Sequence, residues 1–241
     1  APSCSRPRGV SGGNPVGHAD GRMTGRALVV INPNSSRTVT AGIDAAMDPL
    51  RGFGTPIRCV TLAEGPPGIE SQAQADETIP HMLRLAASLE DQAAGFVIAC
   101  FGDPGLHALR DRTALPVLGI QECAVMTALT MGQRFGVVAI LPGSIPRHLR
   151  AFGAMGVMDR VAGDRALGLG VAELADPDIT LARMVAVGAA LRDQDGADVL
   201  IMGCAGMARY RGALEDAVGL PVVEPCQAAA AMAIGRIGLG W

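Results

Sequence analysis

The stretch FVIACFGDPGLHALRDRTALPVLGIQECA at 96–124 has the same order of features as VLIMGCAGMARYRGALEDAVGLPVVEPCQAA at 199–229. Each is predicted to contain an apolar strand that ends in a cysteine, a glycine-containing loop, a short helix, a Leu-Pro-Val strand and a helix start with a second cysteine. The two cysteines are 23 residues apart in the first stretch and 22 in the second. Because the cysteines and the Leu-Pro-Val strand match together, we interpret the two stretches as a structural duplication and not as a chance likeness.

Strands and helices alternate on both sides of these stretches. ALVVI at 27–31 is a predicted buried strand, and the serines after its Asn-Pro-Asn turn can cap a helix at 38–48. FGVVAI at 135–140, followed by Leu-Pro-Gly-Ser, repeats that arrangement in the second half. Further strands are predicted at 57–62, 95–100 and 117–120, and further helices within 73–89 and near 106–112.

This alternation predicts an α/β fold with mostly parallel sheets. Together with the duplication, it predicts two similar Rossmann-like lobes related by a pseudo-twofold axis, with the active site in the cleft between them. We place the first lobe at 26–120 plus 223–241 and the second at 121–222. Residues 1–25 are rich in Gly, Pro, Ser and Arg and lack the apolar segment of a signal peptide, so we expect a disordered extension before the fold.

The composition excludes several classes of protein. The chain has 241 residues, of which 49% are hydrophobic and 18% charged, and its formal net charge is −3. These values are typical of a globular protein with a large core. No predicted helix carries a basic patch and no apolar run approaches about 18 residues, so we expect neither nucleic acid nor a membrane as a partner. We expect a homo-oligomer, since symmetric assemblies are common.

All 20 basic residues are arginine, and the absence of lysine excludes further chemistry. A pyridoxal-phosphate enzyme needs a lysine for its internal Schiff base, and a Walker loop needs one for its phosphates. The four histidines lack the spacing of metal ligands, so we expect no metal and no cofactor. The six cysteines form no CxxC pair, which indicates free thiols in a reducing cytoplasm.

Cys100 and Cys204 are the candidate catalytic residues, because each follows an apolar strand and precedes a glycine-containing loop. Ligands of open α/β sheets bind at the carboxyl ends of the strands, so two facing lobes bring both thiols to one cleft. A thiolate can remove a proton and a thiol can donate one. Two of them on opposite sides of a carbon can therefore invert its configuration. We expect the helix start after each cysteine to depress the pKa of its thiol.

The backbone N–H groups after each cysteine can bind an enolate oxygen as negative charge develops on it. The predicted substrate-binding residues are therefore Phe101, Gly102, Ala205 and Gly206.

The other thiols and the histidines are expected to have structural roles. Free cysteine is often buried and fills space, which we expect for Cys4, Cys59, Cys123 and Cys226. A ligand contact stays open for the two of these at helix starts, Cys123 and Cys226. A Cys–His hydrolase that uses Cys100 with His107 or His148 is an alternative, but no triad pattern supports it.

Four motifs stand out in combination: INPNSS at 31–36, ACFGDPGL at 99–106, LPVLGIQE at 115–122 and MGCAGM at 202–207. This set resembles the hydantoin/allantoin racemase family of the aspartate/glutamate racemase superfamily, and the resemblance extends from about Ala27 to Ile237. It implies the two-lobed fold, a reaction without a cofactor, and catalytic cysteines at Cys100 and Cys204. It also implies that Asn34 lies at the cleft and donates a hydrogen bond to a substrate carbonyl.

The resemblance implies a substrate and a reaction. The C5–H of a hydantoin ring is acidic because a carbonyl flanks it, so its carbanion is an enolate. One cysteine thiolate removes the C5 proton and the other thiol protonates the opposite face. We therefore predict a racemase that acts on a small 5-substituted hydantoin.

The end of the predicted strand FGVVAI at 135–140 suggests the polarity of the pocket. Ala139-Ile140-Leu141-Pro142 stands where relatives commonly have hydroxyl residues. This indicates an apolar wall that favours a hydrophobic 5-substituent over polar allantoin, unless Ser144 or Thr130 supplies a hydroxyl.

Several alternatives stay open. An allantoin racemase, an amino-acid racemase or a maleate-type isomerase would also use both cysteines, whereas an arylmalonate-type decarboxylase needs one. Enzymes that act on free carboxylates should need well-placed cationic or hydroxyl groups, and the loops near both cysteines lack arginine apart from Arg209 and Arg211. A small-molecule binding protein is the non-enzyme alternative, but it has no need of paired thiols.

Overall fold

The structure is a computed structural model, and it describes residues 25–241. The disordered extension predicted at 1–25, which includes Cys4, lies outside the described residues except for its last residue. Within 25–241, no helix is long and apolar enough to cross a membrane.

Four strands and four α-helices form the first half of the described chain, apart from short 3-10 turns. They are β1 (Ala27–Asn32), α1 (Arg37–Ala46), β2 (Ile57–Thr61), α2 (Gln72–Leu89), β3 (Ala93–Ile98), α3 (Leu106–Arg110), β4 (Val117–Gly119) and α4 (Ile120–Met131). The four strands are parallel and lie in the order β2-β1-β3-β4. The central strands β1 and β3 are almost entirely buried, as expected for a parallel sheet that helices cover on both faces.

The second half repeats this series. Its elements are β5 (Phe135–Ala139), α5 (Ile145–Met155), β6 (Val161–Ala166), α6 (Pro177–Asp193), β7 (Val199–Met202), α7 (Arg211–Val218), β8 (Val222–Val223) and α8 (Pro225–Leu239). The strands are again parallel, in the order β6-β5-β7-β8. Because the two orders correspond strand for strand, the predicted α/β fold of two similar lobes is confirmed.

The correspondence extends to single hydrogen bonds beside the cysteines. The Ala99 N–H donates to the carbonyl oxygen of Ile31 at 2.8 Å, and the Gly203 N–H donates to the carbonyl oxygen of Val138 at 2.9 Å. Each bond joins the residue before a candidate cysteine to the central strand of its sheet. The two cysteine loops therefore leave their sheets at equivalent points.

The strands before the cysteines are shorter than predicted. β3 ends at Ile98 and β7 at Met202, whereas the sequence analysis ended each strand at its cysteine. The hydrogen bonds of Ala99 and Gly203 are the last ones that join these segments to the neighbouring central strands, so the regular strand pairing stops there. Each cysteine consequently lies in the loop beyond its sheet, where its side chain is available to the cleft.

The two sheets are joined through α4 and α8, which pack against each other. α8 also packs on the first sheet and α4 on the second, and one apolar core runs from Val97 through Ala124 and Ala229 to Ile201. Small alanine side chains let the helices approach closely. We retain the lobe boundaries 26–120 plus 223–241 and 121–222 as a proposal, which these contacts support.

Candidate active site

Cys100 and Cys204 line one small cavity at the carboxyl ends of the strands. Each thiol follows its strand by two residues, and each comes from a different half of the chain. The other polar side chains that line the cavity are Asn34, Ser144 and Arg147, and Phe101, Ala205 and Gly206 line it as well. Of the predicted site residues, Gly102 does not line this cavity. It lines an adjoining cavity that shares Cys100.

The loop after Cys100 has an unusual backbone shape. Gly102 has φ +133° and Asp103 has φ +47°, both on the side of the φ range that side chains disfavour. The Asp103 carboxylate accepts hydrogen bonds from the backbone N–H groups of Gln121 and Glu122, both at 2.9 Å. The loop is therefore fastened to the start of α4, and this contact offsets the strain at Asp103.

Burial dominates the pKa of the Cys100 thiol. Desolvation raises this pKa well above its ordinary value, the charges of Cys204 and Asp103 raise it further, and the guanidinium of Arg147 lowers it. The helix α3 begins only at Leu106. The predicted depression of the pKa is therefore wrong for Cys100.

The Cys204 thiol is perturbed less. A 3-10 turn begins at Ala205, and the Gly206 N–H donates to Cys204 Sγ at 3.4 Å. Burial raises the pKa of Cys204 to about 11, the Gly206 N–H lowers it, and the charges of Glu70 and Glu224 raise it. The predicted depression is wrong here too, because desolvation outweighs the N–H contact that the prediction relied on.

Backbone donors are available beside both cysteines. Among the described residues, the N–H groups of Phe101, Gly102 and Ala205 have no hydrogen-bond acceptor, and the N–H of Gly206 contacts Cys204 Sγ. Donors that are fixed by the fold stabilise a developing negative charge strongly. Each cysteine is thus followed by an N–H group that a ligand oxygen can accept from.

Asn34 lies in the wall of the cavity and is buried. Its Oδ1 accepts hydrogen bonds from the Ser36 N–H at 2.9 Å and from Asn32 Nδ2 at 3.0 Å, and Ser36 caps α1 through the N–H of Val39. Because the amide oxygen is engaged within the loop, the amide NH₂ is the group left for a ligand. This arrangement supports the donor role predicted for Asn34.

Arg147 is a site residue that the sequence analysis missed. It lies on α5 and lines the cavity together with Cys100. Its guanidinium donates to the carbonyl oxygens of Glu70 at 3.1 Å and Gly143 at 2.9 Å, and to Ser144 Oγ at 3.2 Å. Burial lowers the pKa of Arg147, and the Cys100 thiolate would raise it.

The arginines that the sequence analysis named are engaged elsewhere. Arg209 donates to the carbonyl oxygens of Leu174 and Ala175, and Arg211 pairs with Glu215 at 3.1 Å. Neither lines the cavity of the two cysteines. Arg147 reaches the cavity from a helix that is distant in sequence, and no local motif marks it.

The apolar wall expected after β5 is only partly present. Of residues 139–142, Ile140 alone lines the cavity. Ser144, which is buried, also lines it, whereas Thr130 donates to the carbonyl oxygen of Thr127 away from the cavity. The wall combines apolar and polar groups, so the expected preference for a hydrophobic substituent is not supported.

The histidines do not form a dyad with the cysteines in the described part of the chain. His107 is exposed on α3. His148 is buried, and its Nδ1 lies 2.8 Å from Asp164 Oδ2. Its ring packs edge-on against the ring of Phe101, with centroids 4.9 Å apart. The Cys–His hydrolase therefore has no geometric support.

The remaining described cysteines stand apart from the site. Cys123 and Cys226 are buried and Cys59 is partly exposed, and all three are free thiols. None of them lines the cavity of Cys100 and Cys204, which agrees with a structural role.

The resemblance to racemases is tested by comparing the chain with known proteins. The sequence profile of the family described as Asp/Glu/hydantoin racemase matches residues 28–233. The chain is also 34% identical over 215 residues to a hydantoin racemase of Pseudomonas sp. (strain NS671), and the match covers 88% of this chain and 86% of the relative.

Solved structures agree with the sequence comparison. An allantoin racemase from Klebsiella pneumoniae superposes with a TM-score of 0.80 at 32% identity, covering 89% of each chain. An allantoin racemase from Pseudomonas fluorescens superposes with a TM-score of 0.83 at 27% identity, covering 89% of this chain and 92% of the other. The chain therefore belongs to the Asp/Glu/hydantoin racemase family and is an isomerase of the racemase type.

Proposed function

We propose that the chain racemises 5-substituted hydantoins without a cofactor, by two-base proton transfer at C5 between Cys100 and Cys204. The observation that carries this proposal is the placement of both thiols in one cavity, each from the equivalent point of its half. The hydantoin racemase among the relatives supports the substrate class.

The two thiols are coupled in their ionisation. A charge on Cys204 raises the pKa of Cys100, so ionisation of one thiol disfavours ionisation of the other. Because the pKa of Cys204 is raised less than that of Cys100, Cys204 is the thiol that ionises first and acts as the base, while Cys100 stays a thiol. Two-base inversion needs this unequal state, since one group accepts a proton while the other donates one.

The reaction then follows in two proton transfers. Cys204 Sγ removes the proton from one face of C5, and the electron pair left on carbon moves into the neighbouring carbonyl to form an enolate. Cys100 Sγ–H donates its proton to the opposite face of C5. The product is the other enantiomer, and the thiolate now lies on Cys100, ready to remove a proton from that enantiomer.

The enolate oxygen accepts hydrogen bonds from the backbone N–H groups after a cysteine. Phe101 and Ala205 supply such groups in the cavity, and the amide NH₂ of Asn34 is available to the second carbonyl of the ring. Fixed donors in a site with little water interact strongly with developing charge. The mechanism requires free thiols, which favours a reducing compartment such as the cytoplasm.

Proton NMR of one enantiomer of 5-benzylhydantoin in D₂O tests the proposal. The wild-type protein should exchange the C5 proton for deuterium and abolish the optical rotation. Cys100→Ala and Cys204→Ala should each abolish racemisation, while one of them retains exchange without inversion. Cys59→Ala removes a thiol outside the cavity and should leave the rate unchanged. Racemisation that survives in either active-site variant would show that the cysteine pair is wrong.

Allantoin is the second candidate substrate. The mixed wall with Ser144 and Arg147 suits its polar ureido group better than an apolar wall would, and both solved structures described above are named allantoin racemases. The same NMR experiment with allantoin distinguishes the two. If neither ring exchanges its proton, the substrate class is wrong, and amino acids, maleate and arylmalonates are the next compounds to test.

The expected homo-oligomer stays a prediction. Size-exclusion chromatography with light scattering would measure the mass in solution, and a monomer at working concentration would contradict the expectation.

A further inference from the structure

A second cavity adjoins the cysteine cavity on the Cys100 side. Its volume is about 200 Å³, and it shares Cys100, Phe101 and Arg147 with the first cavity. α5 contributes Arg147 and Arg150 to its wall. A group attached to a carbon held beside Cys100 therefore has space to extend into this second cavity.

Two guanidinium groups face this space without a neutralising carboxylate. Among the described residues, neither Arg147 nor Arg150 has a carboxylate oxygen within 4.0 Å. Arg147 donates its hydrogen bonds to neutral carbonyl and hydroxyl oxygens, and Arg150 donates to the amide oxygen of Gln72 at 2.8 Å. Burial lowers the pKa of Arg147, and the like charge of Arg150 lowers it further.

The carboxylates on the same wall are occupied by other contacts. Asp76 accepts a hydrogen bond from the amide NH₂ of Gln72 at 2.8 Å, and both oxygens of Asp103 accept from the start of α4. These bonds come from neutral donors and leave any carboxylate charge in place, but neither carboxylate lies within 4.0 Å of Arg147 or Arg150, so both guanidinium groups can still pair with an additional anion. Guanidinium groups bind carboxylates well because their planar donors match the two oxygens.

Stabilising the Cys100 thiolate is a role for Arg147. Burial raises the pKa of Cys100, and the charge of Arg147 lowers it. Arg150 lies about one helical turn further along α5, and its side chain is exposed. Its place fits the far end of a bound substrate better than the reacting carbon.

We propose that the second cavity is an anion subsite, in which Arg150, assisted by Arg147, binds a carboxylate at the end of the substituent on the reacting carbon. This inference rests on the proposed function and narrows it to hydantoins with an acidic side arm. Arg150 is a specificity residue, since it contacts the substituent and takes no part in the proton transfers.

A matched pair of substrates tests the inference. 5-(2-Carboxyethyl)hydantoin carries the anion, and 5-(3-methylbutyl)hydantoin has the same shape without charge. The wild-type protein should racemise the first with a kcat/KM about tenfold higher, the order expected for a charged hydrogen bond at a partly exposed site. Added salt should reduce this preference, because it screens exposed charges.

The variants separate the subsite from the chemistry. Arg150→Met should remove most of the preference by raising KM for the acidic substrate, with kcat and the uncharged substrate almost unaffected. Arg150→Lys should restore part of it, and Arg84→Met, which removes an exposed guanidinium outside both cavities, should change nothing. Equal activity of the wild type on the two substrates, or a preference that Arg150→Met leaves intact, would overturn the inference.

A binding experiment keeps this test independent of the hydantoin assignment. Calorimetric titration with glutarate should show binding to the wild type that weakens several-fold in Arg150→Met. If neither hydantoin is racemised but glutarate binds in this way, the proposed substrate is wrong and the anion subsite holds. If hydantoins are racemised and glutarate binds equally to both proteins, the subsite is wrong and the proposed function holds.

Discussion

The Glu70 carboxylate accepts a hydrogen bond from the backbone N–H of Val171 at 2.8 Å, and this bond joins the loop after β2 to the loop after β6. Ile69 and Val171 both line the cavity of the cysteines, so the bond helps to cover it. The charge of Glu70 also raises the pKa of Cys204. One side chain therefore affects both the cover of the cavity and the ionisation of a catalytic candidate.

Glu70→Gln separates these two effects. Glutamine keeps an oxygen acceptor for Val171 but removes the charge, so we expect the pKa of Cys204 to fall and its thiolate fraction at a fixed alkaline pH to rise. The pH dependence of iodoacetamide labelling at Cys204, located by mass spectrometry, measures the shift. Glu70→Ala should show the same shift together with faster hydrogen exchange at the Val171 N–H. An unchanged labelling profile in both variants would contradict the electrostatic role of Glu70.

The pH dependence of racemisation should follow the ionisation of one thiol. Because the pKa of Cys204 is raised to about 11, only a small fraction is thiolate near neutral pH. We expect kcat/KM to rise about tenfold per pH unit from about pH 7 to about pH 10, since the free enzyme must lose one proton. Initial rates followed by circular dichroism measure this limb. A plateau that begins near neutral pH would mean that the thiol pKa in the free enzyme is much lower than about 11.

Two buried carboxyls should make stability depend on pH. Burial raises the pKa of Asp103 and of Glu224 to about 7, from ordinary values of 3.8 and 4.5. Between those limits the folded state binds more protons than the unfolded state, so these groups make the free energy of unfolding fall as pH rises towards 7, with no further loss above it. Asp103→Asn and Glu224→Gln remove this contribution.

Urea unfolding at about pH 5 and about pH 8 checks the sign. The free energy of unfolding of each variant minus that of the wild type should be larger at the higher pH, because only the wild type loses stability through the replaced carboxyl between the two pH values. Taking the difference removes the contribution of carboxylates such as Asp193 and Asp195, whose ion pairs lower their pKa. Differences that are equal at both pH values would show that neither carboxyl titrates in this range.

A pair of glycine substitutions tests how Asp103 is held. A Cβ at Gly119 would collide with the Asp103 carboxyl, whereas one at Gly153 would meet no atom within 4 Å. We expect Gly119→Ala to displace the carboxyl from the start of α4, lower stability by about 1–3 kcal/mol and reduce kcat by moving the Cys100 loop. Gly153→Ala lies inside α5 and should stabilise by up to about 1 kcal/mol. Thermal unfolding and kcat should be measured for both variants. Equal stability and equal kcat in the two variants would contradict the collision expected at Gly119.

The repeated strand–cysteine–glycine pattern was sufficient to predict the fold and to bring the two thiols together. A parallel sheet places the carboxyl ends of its strands at one edge. The sequence around Cys100 and around Cys204 was therefore enough to predict that each thiol lies at such an edge. Phe101, Ala205 and Gly206 followed from the same edge, whereas Asn34 was predicted from the family resemblance, and all four line the cavity. Gly102 was predicted to lie in the same cavity but lines the adjoining one instead, at a point where the loop has a positive φ.

The features that sequence could not supply depend on contacts between distant elements. Arg147 is one position on a helix, and only the packing of α5 against the β2–α2 loop brings it to Cys100. The direction of the thiol pKa shifts was wrong because a helix start is visible in sequence, while the depth of burial is not. The tie between Glu70 and Val171 likewise joins two loops with no shared motif.

The unequal surroundings of Cys100 and Cys204 also constrain the kinetics. A substrate and its mirror image have equal free energy in water, so detailed balance requires kcat/KM to be the same for both enantiomers, whatever the walls of the cavity. Cys204 has the lower thiol pKa and a hydrogen bond from Gly206, and Cys100 is affected by the charge of Arg147. This asymmetry can make one enantiomer bind more tightly. The KM for that enantiomer is then lower, and its kcat must be lower in the same proportion.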